Sequence, residues 1–519
     1  MIAKNIYKEI VRIGTFLLFF PLFSMLLTAC FSDDSTEGTP MATIEIADLN
    51  ETYTATSFVE EYLDIQPVVT TTIPEQNLSY RWVVMEDNEA SGAKAPKEEQ
   101  IGSEKNLHYE VALSPKTYIL KLEVIDNETG YSCFKTTKLV VVTEFSKGYY
   151  ILKETADGNT DIDLFNMETG SLASDLISSV HGAPLNGSPL NLTISYLNFY
   201  IDNDDQQMKY ANQIFVGTKT GDFRLYKADD LSVLFDRENI RYSGLEDDEI
   251  PYGAYHSMFN NNFLTSKGAY SNYSGAMAGY GMTCSGRYGV PAVETGGSVY
   301  FFYYYMNMYY WDETNGRIYL VDYNGSVRQC TDFEGLPMDL SAYRCLGGGP
   351  SAVDGMSYFV LENKTTKERQ LVSIFGFSDM IMMSPITAGT HMAKSEFIAI
   401  NANQGSYIYN IDAGKLYVYD ITQGDERQVS LQGISGDVSY VSNLYTNAMF
   451  SPGFDYLLIG QQNGNEYTLH FYNMVGGIPD GAPFATVKGS GKLRNCRYLN
   501  PQLTGNDFMY MSTLVYPWV

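Results

Sequence analysis

The chain has 519 residues, 45% of them hydrophobic, 14% aromatic and 18% charged, which gives it ample material for a buried core and excludes a disordered chain. A formal net charge of −27 sets it against phosphate backbones, so no nucleic-acid partner is expected. Six cysteines show no zinc or redox spacing and five histidines form no HExxH pair, which argues against a metallopeptidase.

A targeting segment comes first. Lys4, Lys8 and Arg12 accompany an apolar stretch over 13–27, which Leu27-Thr28-Ala29-Cys30 closes. Basic, apolar and small residues in that order form a secretory pattern, with Cys30 at the cleavage position. Residues 1–29 then read as a lipoprotein signal peptide, and Cys30 as the lipidation site carrying palmitate-type acyl chains. A spanning helix fits less well, because Gly14 and Pro21 interrupt a stretch that barely reaches the roughly 20 apolar residues required. Two or more chains anchor stably, each buried methylene contributing about 0.8 kcal/mol, so the polypeptide need not enter the bilayer. Residues 30–40 are too polar to pack and form a flexible tether. Within them, Phe31-Ser32-Asp33-Asp34-Ser35 resembles the surface-export signal of Bacteroidota lipoproteins, which implies an outer-membrane anchor and exposure to the cell exterior.

Residues 41–143 predict a β-sandwich. Short alternating stretches at 43–46, 63–71, 78–85, 109–113, 117–125 and 136–142 are separated by turn signals. Trp82 and Tyr118 are its expected packing anchors. The runs Leu78-Ser79-Tyr80-Arg81-Trp82, Tyr118-Ile119-Leu120-Lys121-Leu122-Glu123-Val124-Ile125-Asp126 and Lys147-Gly148-Tyr149-Tyr150-Ile151-Leu152-Lys153-Glu154 resemble the PKD-like family of Bacteroidota lipoproteins. The resemblance covers about 43–165, with Tyr149 standing where that pattern often has Trp. It implies a spacer or protein-contact module.

Residues 144–519 repeat one design: an aromatic strand, a Gly-containing tight turn and a second aromatic strand. The turn glycines Gly221, Gly316, Gly414 and Gly464 fall about 50 residues, or about twice that, apart. Weaker hairpins at Asp157-Gly158, Lys267-Gly268, Asn363-Lys364-Thr365 and Thr504-Gly505 complete eight. Such a period predicts an all-β propeller and excludes a helical solenoid. Eight blades are expected first, and seven if the end hairpins share a blade closed by both termini.

The chemical constellations are sparse. Gly349-Pro350-Ser351-Ala352-Val353 lacks the second glycine of a nucleophile elbow, and Gly489-Ser490-Gly491-Lys492-Leu493 lacks the magnesium-binding hydroxyl of a phosphate loop. Asp157, Asn159, Asp161, Asp163 and Glu168 have calcium-loop spacing, but Ile162 replaces the turn glycine and a strand is the stronger reading. Cys330 and Cys345 suit either a disulfide or two buried thiols. No metal or other cofactor is called for.

The run 300–311 holds nine aromatic residues, in its first six and last three positions, and has two readings. Its alternate residues pack between blades, or a bend at Met306-Asn307-Met308 presents Tyr304, Tyr305, Tyr309, Tyr310 and Trp311 at the rim as a ligand platform. The PKD-like resemblance further implies an accessory component of a SusC/SusD-like uptake system for oligopeptides or glycans. The leading expectation is therefore a non-enzymatic binding or scaffolding lipoprotein. A surface glycosidase or peptidase with carboxylates on the propeller axis is the alternative, since spacing cannot show which carboxylates converge.

Overall fold

The computed structural model describes residues 42–57, 62–86, 98–201, 206, 208–256, 260–273, 287–289, 293–304, 307–351, 355–376, 378–395, 397–401, 404–446 and 454–500. The predicted signal peptide, Cys30 and the tether lie outside these residues, as do Tyr305 and the Thr504-Gly505 hairpin.

Alternation in the first unit yields a five-stranded sheet in the order Thr52–Thr56, Ser132–Val142, Lys116–Asp126, Leu78–Glu86 and Glu99–Gly102. Two ribbons, Ile44–Ala47 with Val68–Thr71 and Tyr62–Ile65 with Leu107–Glu110, accompany it. The continuous stretch expected over 63–71 is in fact two strands in different sheets. Pro67 stands at the break, where its missing N–H cannot feed a ladder. Trp82 is wholly buried with Leu120, Leu122, Val124 and Leu139, and its indole N–H donates to the Glu104 carbonyl at 3.0 Å. Tyr118 donates to the Ser114 carbonyl four residues upstream at 2.9 Å, satisfying its hydroxyl inside the core.

The described residues from 148 on form a β-propeller. Seven blade sheets occur among the described residues, correcting the eight-blade expectation in favour of the seven-blade alternative. Blade 1 holds Gly148–Glu154, Thr160–Asn166 and Ser171–Ala173, and its innermost strand is the late segment Lys492–Leu499. The ends of the propeller thus share one blade. Blades 2 to 7 follow in chain order, with inner strands Pro189–Ile201, Pro251–His256, Phe301–Tyr304, Tyr343–Ser351, Phe397–Ile400 and Tyr440–Thr446.

Inner strands of neighbouring blades meet, Gly253 approaches Phe301 between blades 3 and 4, and Tyr440–Thr446 meets Lys492–Leu499, which closes the ring. Between blades 3 and 4 the approach is so tight that a Cβ on Gly253 would lie 2.5 Å from the Phe301 ring. Side chains also tie neighbours together. Asn495 donates to Asn191 Oδ1 at 3.2 Å, Asn191 to the Tyr252 carbonyl at 2.8 Å, and Thr193 to the Ala254 carbonyl at 2.6 Å.

The hairpin glycines do the work their positions predict. Gly158, Gly221, Gly316, Gly414 and Gly464 all adopt φ between +58° and +86°, which side-chain-bearing residues avoid.

Candidate functional site on the sixth blade

The aromatic run is core, not platform. Tyr309, Tyr310 and Trp311 are fully buried and Tyr304 is 4% exposed, which corrects the rim reading for these four residues. Tyr304 ends the inner strand of blade 4, and the strand of the other three, Asn307–Asp312, lies second from the axis and is covered on both faces. Tyr309 and Trp311 join Phe302, Cys345 and Phe359 toward blade 5, while Met308 and Tyr310 join Leu264 and Ala269 toward blade 3. Their polar atoms are spent internally: Trp311 Nε1 donates to Glu313 at 2.5 Å and Tyr309 to the Ser378 carbonyl at 2.8 Å.

The calcium-spaced residues serve blade 1. Thr160–Asn166 is a strand, and Asp161 accepts from the amides of Ile177 at 2.9 Å and Ser178 at 3.2 Å, satisfying donors at the start of the short helix Leu176–His181. Asp163 faces the buried Lys153 ammonium at 2.5 Å and accepts from Tyr467 of blade 7 at 2.6 Å. Burial alone would lower the Lys153 pKa, but Asp163 and Asp175 outweigh it and raise it, so the ammonium stays charged. Cys330 and Cys345 are both free thiols, pushed above their usual range by burial.

A more open polar cluster lies on blade 6, where two connections and the outer strand converge. The turn Asp412-Ala413-Gly414-Lys415 joins its second and third strands, with φ of +49° at Ala413 and +74° at Gly414. Both central residues at positive φ make the tight turn that matches strand twist. The connection 386–395, arriving from blade 5, lays His391 against it. His391 Nδ1 meets Asp412 Oδ2 at 2.5 Å, and Lys394 Nζ reaches the same oxygen at 3.0 Å.

The His391 ring stacks on Tyr417 with centroids 3.7 Å apart and planes 15° from parallel. Glu426, from the outer strand, accepts from the backbone amides of His391 and Met392. Asp412 is held below the ordinary carboxylate range, first by His391, against an opposing burial effect, and then by Lys394.

This arrangement fixes the imidazole. With Nδ1 committed to a carboxylate, Nε2 has no partner among the described residues, and the side chain is 37% exposed. Such a ring can take or give a proton, or bond a polar ligand. Beneath it, on the same strand and face as Asp412, Asn410 is wholly buried with neither amide atom hydrogen-bonded among the described residues. Sequence reading recorded His391 only as one of five scattered histidines. The signal it lacked was blade phasing, which places a connection between blades over the central turn of the next.

Residues 30–189 match the model of the PKD-like family. The match begins at Cys30 and ends at Pro189, the first residue of the blade 2 inner strand, so it runs through the sandwich into blade 1. No curated protein matches the chain in sequence. Solved structures similar to it include a quinonprotein alcohol dehydrogenase-like protein from Bacteroides thetaiotaomicron, 14% identical, covering 86% of this chain and 96% of that one with a TM-score of 0.39. Apo AztD from Citrobacter koseri is 10% identical, with coverages of 80% and 99% and a TM-score of 0.33. Virginiamycin B lyase from Staphylococcus aureus is 15% identical, with coverages of 61% and 93% and a TM-score of 0.32.

Proposed function

We propose that the chain is a surface-exposed outer-membrane lipoprotein, anchored through Cys30, that acts as a non-enzymatic nutrient-binding or scaffolding component of a SusC/SusD-like oligopeptide or glycan uptake system. The observation that carries this reading is the start of the PKD-like match at Cys30, the residue that follows Leu27-Thr28-Ala29. A family whose shared region opens on the predicted acylation site, and continues through the sandwich into blade 1, supports an anchor, a spacer and a ring acting together.

The junction supports it too. Only residues 143–147 separate the last sandwich strand from blade 1. They are pinned: Thr143 donates to the Asp229 carbonyl at 2.8 Å and Phe145 packs on the blade 1–blade 2 core. The spacer therefore hands the ring a fixed attachment. Feeding the cells an alkyne-tagged palmitate tests the anchor. Label in the wild type that disappears in Cys30→Ser is expected, while equal label in both would refute it.

A surface hydrolase is the second reading, and one observation favours it: the His391–Asp412 pair at 2.5 Å, which orients an imidazole as a general base requires. Product released from peptide or glycan mixtures by the wild type, and not by His391→Ala, would establish it over the binding reading.

A further inference from the structure

The outer rim between blades 4 and 5 carries an apolar cluster that the ring does not use. After the outer strand of blade 4, Val327–Gln329, the chain forms a small loop over 331–337. Thr331 pairs with Pro337 inside it and with Met380 at the entry to the blade 5 outer strand. The Thr331 amide donates to the Asp379 carbonyl and Ile381 donates back to Thr331, both at 2.8 Å, so the loop is stitched to the neighbouring blade. Asp332 Oδ1 accepts from Glu334 and Leu336 amides at 2.9 Å each and holds the loop's shape.

That fixed scaffold exposes large apolar side chains instead of burying them. Phe333 is 57% exposed, Leu336 56%, Met382 43% and Met380 38%, and Phe333 packs edge-on against Phe375 with centroids 4.9 Å apart. Four exposed apolar side chains, two of them methionines, on one loop and the strand it is stitched to have the composition of an adaptable protein-contact surface. Its border is acidic: Asp332 and Glu334 form no ion pair among the described residues, whereas Asp379 is paired with Arg328 at 3.2 Å. Blades 4 and 5 are also the pair farthest round a seven-membered ring from blade 1, where the sandwich enters.

We infer that this rim is a docking surface for a different protein, one presenting apolar side chains ringed by lysine or arginine. Charge complementarity selects that occupant. A second copy would set Asp332 and Glu334 against their own kind, with −27 on each chain, and an anionic lipid surface would be repelled as well. The inference rests on the reading of the chain as one component of an assembly, and names the face through which it joins.

The test places a photo-crosslinking benzoyl-phenylalanine at Leu336 or Met382 of the full chain in the cells that make it, with Tyr242, 70% exposed elsewhere on the propeller, as control. Both rim positions should crosslink one and the same protein, Tyr242 should not, and Glu334→Lys should cut the yield about threefold or more by reversing a rim charge. Crosslinks between copies of the chain, crosslinks to lipid, or no crosslink at either position would overturn it. If the palmitate-labelled chain still co-purifies with a transporter while the rim stays silent, the docking face falls and the proposed function stands. A wild-type chain that takes up no palmitate label, or label that persists in Cys30→Ser, strikes the proposed function instead.

Discussion

Glu154 and Arg494 lie 340 positions apart in sequence and meet at 2.5 Å across the strand pair that closes the propeller. Lys492 reaches the other oxygen of the same carboxylate at 2.9 Å. The closure joins the first propeller strand to the last described one, so a charge cluster marks the place where the ring is completed. Lys492 and then Arg494 hold the Glu154 pKa below its ordinary value, against a smaller effect of burial. A carboxylate depressed in the folded state stabilises above its unfolded pKa, about 4.3, and loses that contribution as pH falls through the lower folded value. Glu154→Gln should therefore cost about 0.5–1 kcal/mol at pH 7, since both partners are half-exposed, and nothing once the wild-type carboxylate is protonated. Urea unfolding of both forms at pH 7 and pH 3 checks this.

Lys153 and Asp163 make a different kind of pair, both fully buried at 2.5 Å. Removing the ammonium in Lys153→Met leaves a buried carboxylate without its cation and should cost about 3–5 kcal/mol. Adding Asp163→Asn should recover part of that loss, which a double-mutant cycle by chemical denaturation measures.

Trp311→Ala opens a cavity between blades 4 and 5 and should destabilise the protein by about 3–5 kcal/mol. Thermal and urea unfolding read this directly. A rim platform would have shown lost ligand binding with stability unchanged.

Cys330, Cys345 and Cys496 are buried thiols, the last with its pKa raised to about 12. An aromatic disulfide reagent should leave them unmodified in the native protein at pH 8 and titrate them after denaturation, and reductant should not move the melting midpoint.

Asp412→Asn removes the carboxylate charge that holds both His391 and Lys394. Hydrogen exchange should accelerate at amides of 391–395, while global stability changes by no more than about 1 kcal/mol, because the blade cores are untouched.

Much of the ring was legible in the sequence because a tight turn demands glycine at positive φ. Gly158, Gly221, Gly316, Gly414 and Gly464 give the period directly. Closure by both termini was legible only as the second choice: Lys492–Leu499 alternates like any strand, and pairing over more than 300 positions leaves no local trace. The run through Tyr309 and Trp311 was ambiguous for a related reason. Aromatics suit a buried pleated surface and a binding face alike, and only the position of the strand within the blade separates the two. The His391–Asp412 pair was hidden because its members sit on different connections, which blade geometry alone superposes.

The most direct test of the proposed function is affinity purification of the tagged full-length chain from detergent-solubilised outer membranes. The account predicts that a SusC/SusD-like pair co-purifies in constant proportion with the palmitate-labelled chain, and recovery of that labelled chain without any such pair would contradict it.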